Sequence, residues 1–304
     1  MPLYRMPDGE NLYVRRIGRG QPVLVLSGLG MQSWQWLPFI ARSLNHFEFI
    51  IPDWRGFGSS RNCAIPQSLD AISSHWQDVS RLINQLQLDN FILIAYSMGA
   101  TTAMHGMHYA NLGNKLKAYL HIDQTPKILA DENWKYGLLG EKHTECKLLL
   151  RQLLDPLSGQ SDIHSTSQLE THTRTELLQL WYRFVSLQGN SRFSSLLFHT
   201  ALKKPKLQKY LLPLQRLDYL RWYLESYLYH TEDYREALSQ LECPVTFFIG
   251  QNSSLYAAEG QMIIAKSLKN AHPVYFEHSG HTPLLSEPVK FTHELRQFLL
   301  AQIP

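Results

Sequence analysis

An apolar run, Phe91-Ile92-Leu93-Ile94, passes into Ala95-Tyr96-Ser97-Met98-Gly99 and then into Ala100-Thr101-Thr102-Ala103-Met104. The run reads as a buried strand and the stretch after Gly99 as a helix. A strand that becomes a helix within so few residues must turn sharply, and the two backbones nearly touch at the turn. Small residues are needed on both sides, and Ala95 and Gly99 supply them. The turn lifts the Ser97 hydroxyl out of the sheet edge. It also aims the first free N–H groups of the helix at whatever that hydroxyl meets.

The same rhythm of strand and helix recurs on both sides of this junction. Pro7-Asp8-Gly9 reads as a hairpin turn joining two short strands. Val23 to Leu26 is a strand ending in Ser27-Gly28-Leu29-Gly30, and a helix is expected from about Ser33 to Leu44. Phe47 to Ile51 is the next strand, followed by Pro52-Asp53. Ile72, Trp76, Val79, Leu82, Ile83 and Leu86 form a helical stripe within 68–88. A strand is expected from Lys117 to Ile122. Beyond Leu241 come a strand at Val245 to Ile249, a helix at Ala257 to Leu268, a strand at Val274 to Phe276, and a last helix carrying Phe291, Leu295, Phe298 and Leu299 on one face. Alternating strands and helices predict an α/β fold, a mostly parallel central sheet flanked by helices.

Residues 124–241 break that rhythm. They are helix-patterned at Leu148 to Leu154, Leu177 to Leu187 and Leu217 to Leu228, and carry Trp134, Trp181, Trp222 and several tyrosines. The expected organisation is therefore a core of 1–123 and 242–304 with an inserted helical lid, 124–241. Trp134, near the start of the insert, is the weak choice for a substrate contact.

Several function classes are disfavoured. A net charge of +3 gives no electrostatic demand for nucleic acid or acidic lipid. Cys63, Cys146 and Cys243 are too irregularly spaced for a disulfide frame or zinc site, which fits a cytoplasmic protein. The first residues have no apolar signal core, and no apolar run reaches the ~18 residues of a membrane span. No Gly-x-x-x-x-Gly-Lys loop or His-Glu-x-x-His pair is present, so neither metal nor other cofactor is expected. The sequence leaves the oligomeric state open. Lys203, Lys204, Lys206 and Lys209 form a basic cluster that reads as a solvated face.

Four segments in order, Ser27-Gly28-Leu29-Gly30, Asp53-Trp54-Arg55-Gly56-Phe57-Gly58-Ser59-Ser60, the Ser97 junction and Gly280-His281-Thr282-Pro283, resemble the α/β-hydrolase superfamily over almost the whole chain. The resemblance implies that Ser97 is the nucleophile of a nucleophile elbow. A serine hydroxyl needs a base within hydrogen-bond reach, and His281 stands where the family places it. The backbone N–H groups of Leu29 and Met98 would form the oxyanion hole. Ser27 occupies a position where many relatives carry His. The expected activity is hydrolysis of a small, mainly apolar carboxylic ester or related acyl compound.

The third member of the triad departs from the common pattern. The family usually places its acid three residues beyond a glycine after the strand that follows the lid. Here that glycine is Gly250 and the position holds Ser253. Asp123, at the end of the strand before the insert, is the available acid. Certain haloalkane dehalogenases and cofactor-free dioxygenases take theirs from that strand end. A Ser–His dyad remains the alternative, and Ser253 and Glu259 are expected to matter little. Cofactor-free oxygenation, acyl transfer and a non-catalytic receptor remain open on the same fold. A further competitor is dinucleotide binding, because Gly28-Leu29-Gly30-Met31-Gln32-Ser33 follows a strand and Asp53 ends the next one. Ser33 followed by Trp34 is too bulky for that fingerprint's third glycine.

Overall fold

A computed structural model describes residues 3–66, 68–158, 165–187 and 216–303. The chain divides into two compact units, residues 1–127 with 232–304, and residues 128–231.

The first unit is built on one eight-stranded sheet: β1 Leu3–Arg5, β2 Asn11–Gly18, β3 Gln21–Leu26, β4 Phe47–Pro52, β5 Phe91–Tyr96, β6 Leu116–Ile122, β7 Val245–Gly250 and β8 Ala271–Phe276. Their order is β1-β2-β4-β3-β5-β6-β7-β8. β1 and β2 form the hairpin, and β2 pairs antiparallel with β4. All remaining pairs are parallel.

β5 is apolar and buried along its whole length, as expected where helices cover both faces of a parallel sheet. One face presents Val23, Val25, Ile92, Ile94, Leu120 and Ile122. It packs against Phe291, Leu295, Phe298 and Leu299 of the helix Pro288–Leu300. The residues between them on each strand point the other way, the period-two alternation of a strand. That side carries the helices Ala71–Gln85 and Met98–Ala110, which pack on each other. Asp70 caps the first of these by accepting from the N–H groups of Ile72 and Ser73. The expected helix over 33–44 is instead three short pieces, Ser33–Trp36, Leu37–Ile40 and Ala41–Ser43. Pro38 lies inside this stretch and has no N–H to continue a hydrogen-bond ladder.

The second unit contains the helices His143–Leu154, Thr171–Leu187 and Leu217–Tyr229. Among its described residues, strand-like pairing is limited to the isolated bridges Asp131–Trp134 and Ser165–Arg216. The division falls at 127/128 and 231/232, so residues 124–127 and 232–241 group with the sheet. Tyr234 shows why: its N–H donates to Pro126 O, and its hydroxyl lies 3.0 Å from His105 Nδ1. The lysine cluster at 203–209 lies outside the described residues.

Candidate active site

Ser97 sits between β5 and the helix Met98–Ala110 with φ 53° and ψ −122°. A non-glycine residue in that region is strained, and its neighbours must hold it there. They do so by leaving no room for another path. A Cβ on Gly99 would fall 2.2 Å from Leu26 O, and one on Gly28 would fall 2.8 Å from the Tyr96 ring and 3.3 Å from Ser97 Cβ. The Ser97 N–H is also tied to Ile122 O at 3.0 Å.

Three strand ends bring the polar groups together. Ser97 Oγ lies 2.9 Å from His281 Nε2, and His281 Nδ1 lies 2.9 Å from Asp123 Oδ1. Ser97 follows β5, Asp123 follows β6 and His281 lies in the loop after β8. Asp123 is fully buried at φ 40°, a left-handed conformation that Asp tolerates better than most residues. The Gly250 N–H donates to Asp123 Oδ2 at 2.9 Å, and the Ser253 hydroxyl donates to Oδ1 at 2.7 Å. A carboxylate receiving three donors has its acceptor sites occupied and is held in one orientation. With Nδ1–H donating to Asp123, Nε2 is left free to accept from the serine hydroxyl.

His281 is braced further. Tyr96 donates its hydroxyl to His281 O at 3.0 Å, and its ring lies 5.3 Å from the imidazole. Tyr256 meets the imidazole edge-on at 5.5 Å. Beneath Asp123, the buried His121 is held between the Tyr119 hydroxyl and Gln124 O. Burial lowers its pKa to about 4, so it is neutral near pH 7.

The loop after β3 lies beside Ser97. Two indoles anchor it: Trp36 Nε1 donates to Ser27 Oγ at 2.9 Å and Trp54 Nε1 donates to Ser27 O at 2.7 Å. Among the described residues, the N–H groups of Leu29 and Met98 have no protein acceptor. Met98 opens its helix, so its N–H has no intrahelical partner.

The loop that begins at Asp53 is structural. Asp53 Oδ1 accepts from Ser33 N at 2.7 Å and Oδ2 accepts from Ser59 N at 2.9 Å, so neither oxygen serves a ribose. Arg55 is buried and bonded to Asp78, Asp8 and Ala64 O. Trp54 is fully buried and packs on His75.

Trp134 belongs to the second unit, where it pairs with Asp131 and its ring meets Tyr136 at 5.4 Å. Glu259 is exposed in the first turn of the helix Ala258–Ser267. The three cysteines are free, and burial raises their thiols to about 11 for Cys63, 12 for Cys146 and 11 for Cys243. Among the described residues, no group of three or more His, Cys, Asp or Glu side chains could hold a metal ion, and no helix is long and apolar enough to cross a membrane. Sequence reasoning gave no role to Ser253, Tyr96 or Tyr256. Of these only Ser253 carried a signal, through its position three residues after Gly250.

The sequence matches the alpha/beta hydrolase family over residues 23–294. It is similar to the pimeloyl-[acyl-carrier protein] methyl ester esterases of Proteus mirabilis and Legionella pneumophila. Identity is 25% over 94% of this chain and 95% of the first, and 24% over 95% of this chain and 99% of the second. An esterase from Exiguobacterium antarcticum shares the fold with a TM-score of 0.70 at 19% identity, over 97% of this chain and 98% of that one. A thermophilic esterase from Thermogutta terrifontis also gives a TM-score of 0.70, at 16% identity and 99% coverage of both chains.

Proposed function

Because this chain belongs to the alpha/beta hydrolase family, we propose that it cleaves carboxylic esters through an acyl-enzyme on Ser97. The observation that carries this reading is the unbroken line of contacts from Ser97 Oγ through His281 to Asp123, each 2.9 Å long. His281 Nε2 takes the proton as Oγ attacks the carbonyl carbon, and Asp123 stabilises the imidazolium that forms. The carbonyl oxygen becomes an oxyanion between the N–H groups of Leu29 and Met98. Each such donor lowers the barrier by roughly 3–4 kcal/mol. The imidazolium then protonates the leaving alcohol. Water, deprotonated by the same imidazole, attacks the acyl carbon, and the acid leaves as Ser97 regains its proton.

The curated relatives support an ester with a small alcohol on an acyl chain borne by a carrier protein. Within this reading the inserted segment that carries Trp134 selects the acyl chain, and Trp134 contacts that chain. A Trp134→Ala variant is expected to raise KM while leaving kcat near normal.

The test of the nucleophile is covalent. A fluorophosphonate probe should label Ser97 in the intact protein and fail to label Ser97→Ala. The wild type should turn over short p-nitrophenyl esters without added cofactor and regardless of oxygen, and Ser97→Ala should lose about 10⁶-fold in turnover. Persistent labelling of Ser97→Ala would sink the reading, and stoichiometric ester binding without turnover would favour a receptor.

A further inference from the structure

We propose that Ser253 is a positioning residue that sets both the orientation and the basicity of the Asp123–His281 pair. The inference rests on the triad reading above and extends it to a residue that touches neither substrate nor reacting atoms.

Ser253 is buried, and its single hydroxyl proton is committed to Asp123 Oδ1 at 2.7 Å. That oxygen is the one facing His281 Nδ1. The hydroxyl oxygen in turn accepts from Tyr256 N at 3.4 Å, and Ser253 N donates to Gly250 O at 3.1 Å. The turn after β7 therefore grips the acid and the base together. Gly250 holds Oδ2, Ser253 holds Oδ1 and the Tyr256 ring meets the imidazole. The approach is close enough to exclude any side chain at Gly250, where a Cβ would fall 2.0 Å from Gly280 O and 2.9 Å from Asp123 Oδ2. Ser253 stands where the more common arrangement has the acid itself. With the carboxylate on β6, the β7 turn supplies its hydrogen-bond donor.

Two effects follow from a second donor on Oδ1. The carboxylate is held in one rotamer, which orients the imidazole. Part of its negative charge is also drawn away from Nδ1, which weakens its stabilisation of the imidazolium. The titratable groups facing His281 are Asp123 from the end of β6, Tyr96 from β5 and Tyr256 from the β7 turn. His121, the other titratable neighbour of Asp123, is neutral above about pH 4.

The experiment compares p-nitrophenyl ester hydrolysis by wild type, Ser253→Ala, Ser253→Thr, Asp123→Asn and Asp123→Asn/Ser253→Ala, each first shown to be folded by circular dichroism. Ser253→Ala should lower kcat roughly tenfold, because the lost orientation of the carboxylate outweighs its stronger pull on the imidazolium. Its kcat/KM profile should have an acidic limb displaced to higher pH, because the undivided carboxylate charge favours the imidazolium. Ser253→Thr, which keeps a hydroxyl, should restore both. In the Asp123→Asn background, Ser253→Ala should cause no further loss. An unchanged pH profile in Ser253→Ala overturns the inference, as does an equal loss in both backgrounds. Loosening alone would lengthen the Asp123–His281 contact and move the limb to lower pH, which also overturns it. Wild-type activity in Asp123→Asn would instead bring down the triad reading, and the inference with it.

Discussion

Replacing Asp123 by Asn changes one atom of the buried carboxylate and tests the whole constellation. The three donors on the carboxylate dictate what the amide can do. If its nitrogen took the Oδ2 position, it would face the Gly250 N–H, a fixed donor, at 2.9 Å. If it took the Oδ1 position, it would face Ser253 Oγ and His281 Nδ1. The Ser253 hydroxyl can rotate to accept, and imidazole can change tautomer, whereas a backbone N–H can do neither. The second arrangement is therefore the lower in energy, since an unmade buried hydrogen bond costs about 1–3 kcal/mol. It moves the imidazole proton to Nε2, opposite Ser97, where it cannot receive the serine proton. A tautomer error of this kind costs about 10⁴-fold in a serine protease triad. Asp123→Asn should accordingly lose roughly 10²–10⁴-fold in kcat/KM, toward the upper end, or about 3–5 kcal/mol of transition-state stabilisation. The assay is p-nitrophenyl acetate hydrolysis at pH 7.5, with thermal unfolding as the check on the fold. Glu259→Gln, an exposed change, is the control expected to match wild type. Activity of folded Asp123→Asn within threefold of wild type would refute the reasoning.

Two other predictions concern the scaffold. Burial lowers His75 to about 3 and His121 to about 4, against 6.5 for an ordinary histidine, so the unfolded chain takes up these protons first as pH falls. Their contribution to stability is complete above pH 6.5 and is lost progressively below it, at about 2 kcal/mol per histidine by pH 5. Urea unfolding should give a markedly lower midpoint at pH 5.0 than at pH 7.5, and an unchanged midpoint would contradict the burial argument. At the elbow, Gly99→Ala would drive a methyl group to 2.2 Å from Leu26 O, a backbone atom that cannot swing aside. It should destabilise by about 1–3 kcal/mol or more and abolish fluorophosphonate labelling. Normal labelling would show that β3 and the helix can separate without moving Ser97.

The strands of the parallel sheet were legible because each is a short apolar run with a turn or helix signal behind it. The Ser97 elbow was legible because its small residues are local to it. The helix expected over 33–44 was less so. Pro38 and the docking of Trp36 onto Ser27 divide it. The anchoring of Ser27 by two indoles is a tertiary contact. No spacing rule reveals it, because Trp54 is 27 residues away in sequence. The Ser253–Asp123 bond joins residues 130 positions apart and is likewise invisible to any window along the chain. Local pattern reports the period of an element. It does not report which hydroxyl a distant carboxylate will meet.

The contact at Ser97 joins residues 184 positions apart, and β6, β7 and β8 all lie between them in the sequence. At a synthesis rate of about 5–20 residues per second, roughly 10–40 s separate the emergence of the serine from that of its base. Under the mechanism proposed above, the serine stays a weak nucleophile throughout that interval, because His281 is not yet there to take its proton. On that reading, acyl transfer to the growing chain is deferred until β8 has docked. The onset of ester cleavage in a translation reaction thus times the closing of the sheet.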